Sequence, residues 1–436
     1  VSQQEFSDRS RAPRAARIWR DAFVTVFAGL AAMAVTAALG LWAAGAADLP
    51  GGAFPSVVAA VVVMAVGGSV GMSGGAGAIA ETRADLSVLP LSVTLAGALV
   101  IAVGFLRPLR HRAVVGVREL AGRAACLAAL WVPALVVLSL FARHTFRVPL
   151  EDPTGGLFDD LLEEASPEVG FRTDLPVTLL LGLLWLAGLL AVALLVSRRA
   201  PLPARLVRFQ EPVRPAAFAM VALLLSCVVL GLVVALVVAV TRDHPAETFA
   251  VILLGLPNLA WMAFTVGLGA SWEGKVDGPF GLRMPQMLDK VLRTPDISTV
   301  NLRTLTEQDG RAWWLLVAAV VLVVAAAFLM AVRSPARMRL WQHAVHMAVA
   351  LTLTVLAVCL TAGISAHYGL SLLGIGDFLS EISGGLGLGL DGEVSLRPRL
   401  WTALGLAVLW GLVAGFLGGL LAARVHRRGE VRPSAS

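Results

Sequence analysis

Ten stretches of this chain stay apolar over a length at or near that of a bilayer-crossing helix, and this dictates its solvent before anything else. A spanning helix needs about 20 apolar residues, because the hydrocarbon core is about 30 Å thick and a helix rises about 1.5 Å per residue. The runs cover residues 22–47, 49–80, 86–106, 124–142, 175–197, 215–241, 248–272, 312–332, 344–366 and 400–423. Charged residues make up 15% of the chain, where a soluble protein carries about 25%. Most of the surface therefore faces hydrocarbon. The sequence predicts an all-α fold, a polytopic membrane helix bundle, with the lipid bilayer as its first partner.

The basic residues set the topology. Arginines 9, 11, 14, 17 and 20 precede the first run, and further clusters follow the third, fifth, eighth and tenth runs. Ten plain crossings would place three of these clusters outside, against the positive-inside rule. If the second and seventh runs instead enter and leave on the outer side, every cluster falls inside. This arrangement has eight spanning helices and two re-entrant helical hairpins, with both termini cytoplasmic; ten spanning helices is the alternative. The two odd runs are also unusual in composition. One carries Pro50, Gly51, Gly52 and Pro55, and the other is interrupted at Pro257-Asn258. Proline removes a backbone donor and crowds the preceding turn, so a break into two half-helices is expected there.

With that topology the chain divides into two parallel repeats. Residues 1–21 form a basic cytoplasmic tail and 22–214 the first repeat, with an acidic outer loop at 143–174. Residues 215–423 form the second repeat, with an inserted outer segment at 271–311, and 424–436 a second basic tail. Within the insert, Met284, Met287, Leu288, Val291 and Leu292 have the spacing of one helix face. His144 and His367 open the two long outer loops at matching repeat positions. Trp19, Trp42, Trp272, Trp313, Trp314, Trp341 and Trp401 fall near run ends, as an interfacial belt does.

Irregular backbone at membrane depth is tolerated only inside protein or beside a wet cavity. The two breaks therefore point to the interface between repeats as a candidate translocation or binding site. Ser69, Ser73, Pro257, Asn258 and Trp261 are the residues expected to meet there, with the helix N-terminus after Pro257 favouring an anion or carbonyl oxygen. Asp48, Glu81, Asp85, Glu247 and Glu273 flank the odd runs and form a candidate outer vestibule; a simple helix end at the headgroups is the plainer reading of each.

Other chemistry finds little footing. Cys126, Cys227 and Cys359 stand alone in separate runs, which gives neither a zinc site nor a disulfide framework. His343 and His346 share a helix face but lack a third ligand, so they read as interfacial side chains rather than a metal site. No nucleophile–base or acid pair is evident at depth, so no catalytic residue and no cofactor is expected. The net charge of +6 sits in loops between apolar runs, which suits anionic lipid headgroups at the cytoplasmic face rather than nucleic acid.

Several stretches resemble the streptophobe family, multi-pass membrane proteins of streptomycetes and their relatives. They are G-L-W-A-A-G-A-A-D-L-P-G-G-A-F, A-V-G-G-S-V, L-P-L-S-V-T-L-A-G-A-L-V and G-F-L-R-P-L-R-H-R between Leu41 and Arg112, Y-G-L-S-L-L-G-I-G-D from Tyr368 to Asp377, and L-D-G-E-V-S-L-R-P-R-L-W near the C-terminus. The resemblance implies a plasma membrane of streptomycete type and assigns no residue a role. The shorter L-P-N-L-A-W from Leu256 to Trp261 is similar to actinobacterial membrane proteins tied to cell division. The expected function is a permease or channel-like transporter with its path between the repeats. The alternative is a non-transporting scaffold or envelope and division regulator acting through its outer loops.

Overall fold

The computed structural model describes residues 2–48, 52–76, 80–109, 117–147, 168–197, 204–241, 245–277, 298–335, 338–372 and 392–424. The interiors of the acidic loop and of the insert, with the Met284 helix, the glycine-rich stretch before Gly392 and the C-terminal tail, lie outside the described residues. The helices are α1 (Ser2–Ala43), α2 (Phe54–Ala65), α3 (Leu91–Leu106), α4 (Val117–Phe141), α5 (Leu175–Val196), α6 (Ala204–Thr241), α7 (Pro245–Gly267), α8 (Leu302–Gln308), α9 (Trp314–Arg333), α10 (Leu340–Thr361) and α11 (Leu400–Ala423). Nine segments among the described residues are long and apolar enough to cross a membrane. Their outward residues are apolar too, as Val233, Val237 and Val240 on α6 illustrate. Such a surface is stable only in hydrocarbon, and the chain is a multi-pass integral membrane protein.

Between the helices run eight strands that form one antiparallel sheet at one end of the bundle. They are β1 (Val70–Ala76), β2 (Ala80–Val88), β3 (His144–Arg147), β4 (Glu168–Thr173), β5 (Trp272–Asp277), β6 (Ser298–Val300), β7 (Ile364–Leu372) and β8 (Gly392–Pro398). Their spatial order is β3-β4-β1-β2-β7-β8-β5-β6. The first four strands of the chain thus occupy one half of the sheet and the last four the other, in the same internal order. The β2–β7 pair, from Ala80↔Leu372 to Val88↔Ile364, joins them.

Each half of the chain has its own apolar core. One core gathers Met33, Ile101, Trp131 and Leu186, the other Met220, Val323, Met347 and Ala407. Small residues bring backbones together where lipid tails provide no hydrophobic drive between helices. Gly411 and Gly415 of α11 lie against the backbone of Ala348 and Ala344 of α10, and Gly418 against that of Ala327 of α9.

The second and seventh apolar runs differ from the rest. α1 runs antiparallel to α3, with Thr25 beside Gly104 and Met33 beside Gly97, so the Ala43 end of α1 lies at the sheet end. α2 has 12 residues, about 18 Å of helix, too short to cross. It ends in a Schellman turn: Gly68 N–H donates to Val63 O and Gly67 N–H to Met64 O, with Gly67 at φ +97°. α7 ends in the same way, Ala270 N–H to Thr265 O and Gly269 N–H to Val266 O, with Gly269 at φ +98°. Both turns feed a strand. Leu181 of α5 packs on Gly67 and Leu406 of α11 on Gly269.

α7 corrects the expected break. It is one helix from Pro245 to Gly267 with Pro257 inside it. Its first half lies on the sheet-end tips of the other half's helices: Leu253 and Leu254 fill the notch at Gly40, and Ser92 Oγ donates to Ile252 O at 2.8 Å. These contacts pack the turn that precedes Pro257 against α1 and α3. The matching stretch before α2 holds Gly45 and Gly52, both with positive φ, and its described part carries the short 3-10 turn Ala46–Asp48. The expected N-terminal tail is also helical, because α1 begins at Ser2.

Trp19, Trp42, Trp313, Trp314, Trp341 and Trp401 are exposed near helix ends at the two ends of the bundle, as an interfacial belt requires, but Trp272 is fully buried beneath the sheet. His343, expected at the interface, is buried as well, packed near Gly419.

Substituting Gly67→Ala or Gly269→Ala should each cost about 1–2 kcal/mol, the penalty for a side chain in the left-handed region. Gly411→Ala should cost about 1–3 kcal/mol because α10 must move, whereas Gly188→Ala, which faces open space, should be neutral. Equilibrium unfolding in bicelles reads all four.

Candidate functional site

Asn258 sits at the joint between the halves. Its position on α7, one residue after Pro257, places its amide against the start of α3 from the other half. Leu91 N–H donates to Asn258 Oδ1 at 3.1 Å, and Asn258 Nδ2 donates to Leu89 O at 2.9 Å. α3 needs this help. Its N-cap is Pro90, which offers no side-chain oxygen, and the first amides of a helix have no partner of their own. The side chain is 6% exposed. An Asn at this depth would be costly unless paired, and here both ends of its amide are paired.

The other residues expected at the break do not converge on it as a polar pocket. Trp261 is half-buried, and its Nε1 donates to Leu224 O on α6 at 3.1 Å. Pro257 is buried within α7. Ser69 is exposed in the turn between α2 and β1. Ser73 lies within β1, in register with Arg83 on one side and Gly170 on the other. The expected helix N-terminus after Pro257 does not exist, since those amides are inside α7. Ser73 therefore belongs to the sheet, Ser69 to the turn that leads into it, and the two α7 residues to helix packing.

The five acids divide the same way. Glu81 and Asp85 are on β2 and Glu273 is on β5. Asp48 ends a short 3-10 turn after α1, and Glu247 is exposed in the first turn of α7. Glu273 pairs with Arg399, whose N–H donates to Ser271 O, so its carboxylate pins β5 to the start of α11.

What the sequence reading lacked is the sheet itself, which is amphipathic across all eight strands. Register partners share a face. One row runs Arg172, Gly71, Asp85, His367, Glu393, Asp277 across β4, β1, β2, β7, β8 and β5. Every position on this face is charged, Ser, Thr, His or Gly. The adjacent row runs Thr173, Val70, Leu86, Ala366, Val394, Val276, and that face is mainly apolar. Its helix-side positions, including Val70, Trp272, Val300 and Leu396, are buried on the helix tips. Arg172 and Arg397, on the polar face, are exposed. The backbone register also separates the two histidines: His144 is paired with Phe171 as Ile364 is with Leu396, while His367 is paired with Glu393 as Arg147 is with Glu168.

Two signals for this were in the sequence. Pro55 and Gly67 are 12 apart, as are Pro257 and Gly269, which marks the two helix-turn-strand units. Residues 364–372, I-S-A-H-Y-G-L-S-L, alternate with the period of a strand. Among the described residues no group of three His, Cys, Asp or Glu is placed to hold a metal ion.

Fold and site together define a multi-pass membrane protein whose helices carry an amphipathic sheet at one end. No family model, no curated protein and no solved structure matches the chain.

Replacing Asn258 by Ala should cost about 1–3 kcal/mol, the desolvation of a helix amide left without an acceptor. Ser92→Ala should cost about 1 kcal/mol. Equilibrium unfolding in bicelles measures both, and the larger loss should belong to Asn258.

Proposed function

We propose that this protein is a non-transporting platform of the cell membrane, two parallel repeats whose sheet stands on the outer side and binds a partner through its polar face. The observation that carries this reading is the sheet's alternation: every position on one face, in all eight strands, is polar or glycine. A surface so consistently patterned is made to meet water or a hydrated partner. The alternative, a permease with its path between the repeats, would require the Asn258 clamp to open, because the polar groups at that joint are spent on backbone.

Charge placement supports the orientation. Arg107, Arg118, Arg333, Arg339 and Arg424 lie near helix ends away from the sheet. By the positive-inside rule the sheet is outside and both termini are cytoplasmic. Kinship with streptophobe proteins, and an envelope or division role, is offered on the same footing: it rests on sequence resemblance.

In cells, with the three native cysteines replaced, Thr145→Cys on β3 should react with an impermeant maleimide, and Arg424→Cys after α11 should react only once the membrane is opened. Liposomes holding the protein should stay as tight to ions, amino acids and small neutral solutes as protein-free ones. Protein-dependent flux of any of these, altered by Asn258→Leu, would restore the permease and end the platform reading.

A further inference from the structure

At the bundle end away from the sheet, α1, the end of α3 and the start of α4 leave a half-open cleft between them. It is lined by Asp21, Thr25, Gly104, Phe105, Pro108 and Arg123, among others. The enclosed part is about the size of one water molecule, so it receives an oxygen or two of a larger group that stays outside. Arg123 is 9% exposed. Its Nη2 donates to Glu119 Oε1, one turn earlier on α4, at 3.2 Å. Its Nε is buried and meets no acceptor among the described residues. A buried guanidinium N–H without an acceptor is uncommon in folded proteins, and this one belongs to a side chain that lines an open cleft. Asp21, on the opposite wall, is only partly buried, and its carboxylate meets Arg20 at 3.6 Å on the outside rather than Arg123. Thr25 is occupied, donating to Asp21 O.

The cleft therefore offers one donor for an anionic oxygen and, across from it, one carboxylate for a cation. Glu119 already offsets the Arg123 charge. A headgroup that is only anionic would face the Asp21 carboxylate with nothing to give it. A headgroup that carries both a phosphate and a primary amine satisfies both walls. We propose that this cleft is a binding site for an aminophospholipid of the phosphatidylethanolamine type, its phosphate oxygen on the Arg123 guanidinium and its ammonium on Asp21. The exposed Arg17 and Arg20 nearby on α1 place the cleft at headgroup depth, where such a lipid presents these groups. The site is independent of the platform reading, since neither the sheet nor Asn258 takes part.

Native mass spectrometry of the whole protein, delipidated in detergent and titrated with single lipids, tests this. Phosphatidylethanolamine should bind about 10-fold tighter than phosphatidylcholine, whose quaternary amine has no N–H, the worth of one charge-assisted hydrogen bond. It should also outbind phosphatidylglycerol. Asp21→Asn, a change on the rim, should bring phosphatidylethanolamine down to the phosphatidylcholine level, and Arg123→Gln should weaken all three lipids. If phosphatidylglycerol binds as well as phosphatidylethanolamine, or if Asp21→Asn leaves the preference intact, the proposal is wrong. Competition by inorganic phosphate at equal concentration would identify a free anion, not a lipid, as the occupant and would equally overturn it.

Discussion

One buried amide holds the two halves of the molecule in register. Asn258 supplies the acceptor that Pro90 cannot, and in return takes the Leu89 carbonyl. Leu89 follows directly on β2, the strand that crosses to the second half through β7. The helix start, the strand end and the seam of the sheet therefore meet within a few residues, and they are fixed by a side chain 167 positions away. In an environment with little water to substitute, an unmet backbone group has no alternative partner. The geometry at this joint is accordingly strict, and it explains why Asn is found at a depth where polar residues are expensive.

From that joint the two halves can be compared unit by unit. The Schellman turns at Gly67 and Gly269 and the strands that follow them are alike. The approach to the helix differs. Before Phe54 the chain bends at glycines, whereas before Leu256 it continues as helix and reaches over α1 and α3. The reach of α7 adds a second hold of the later half on the earlier one, beside the β2–β7 seam.

Much of this was legible in the sequence. Runs 175–197 and 400–423 match α5 and α11 almost residue for residue, because unbroken apolar length is decisive in a bilayer. The short α2 and the unusual position of α7 were signalled by misplaced charge. At Pro257-Asn258 the expected break is absent, and α7 runs through it as one helix. A proline suggests a break when seen alone, whereas the turn before this one packs against Gly40 and Ser92 of the other half. The sheet escaped because its strands are short, charged and rich in glycine, so next to long apolar runs they look like connecting loops. Alternation at 364–372 was the available clue, and Trp272, assigned to the interface by its position at a run end, was drawn inside by that unseen sheet. Ser73, expected at the site between the repeats, and Glu81 and Asp85, expected at its outer vestibule, lie on strands β1 and β2.

The β2–β7 pairing has a consequence for how the molecule is made. Residues 80–88 find their partners at 364–372, so nine backbone positions of β2 wait through most of translation with one edge unsatisfied. Contacts this distant along a chain form late, and unpaired strand edges invite the wrong neighbour meanwhile. Biogenesis thus has a vulnerable interval that closes only when residues 364–372 of the 436 emerge, and truncation before β7 leaves an adhesive edge rather than a smaller stable protein.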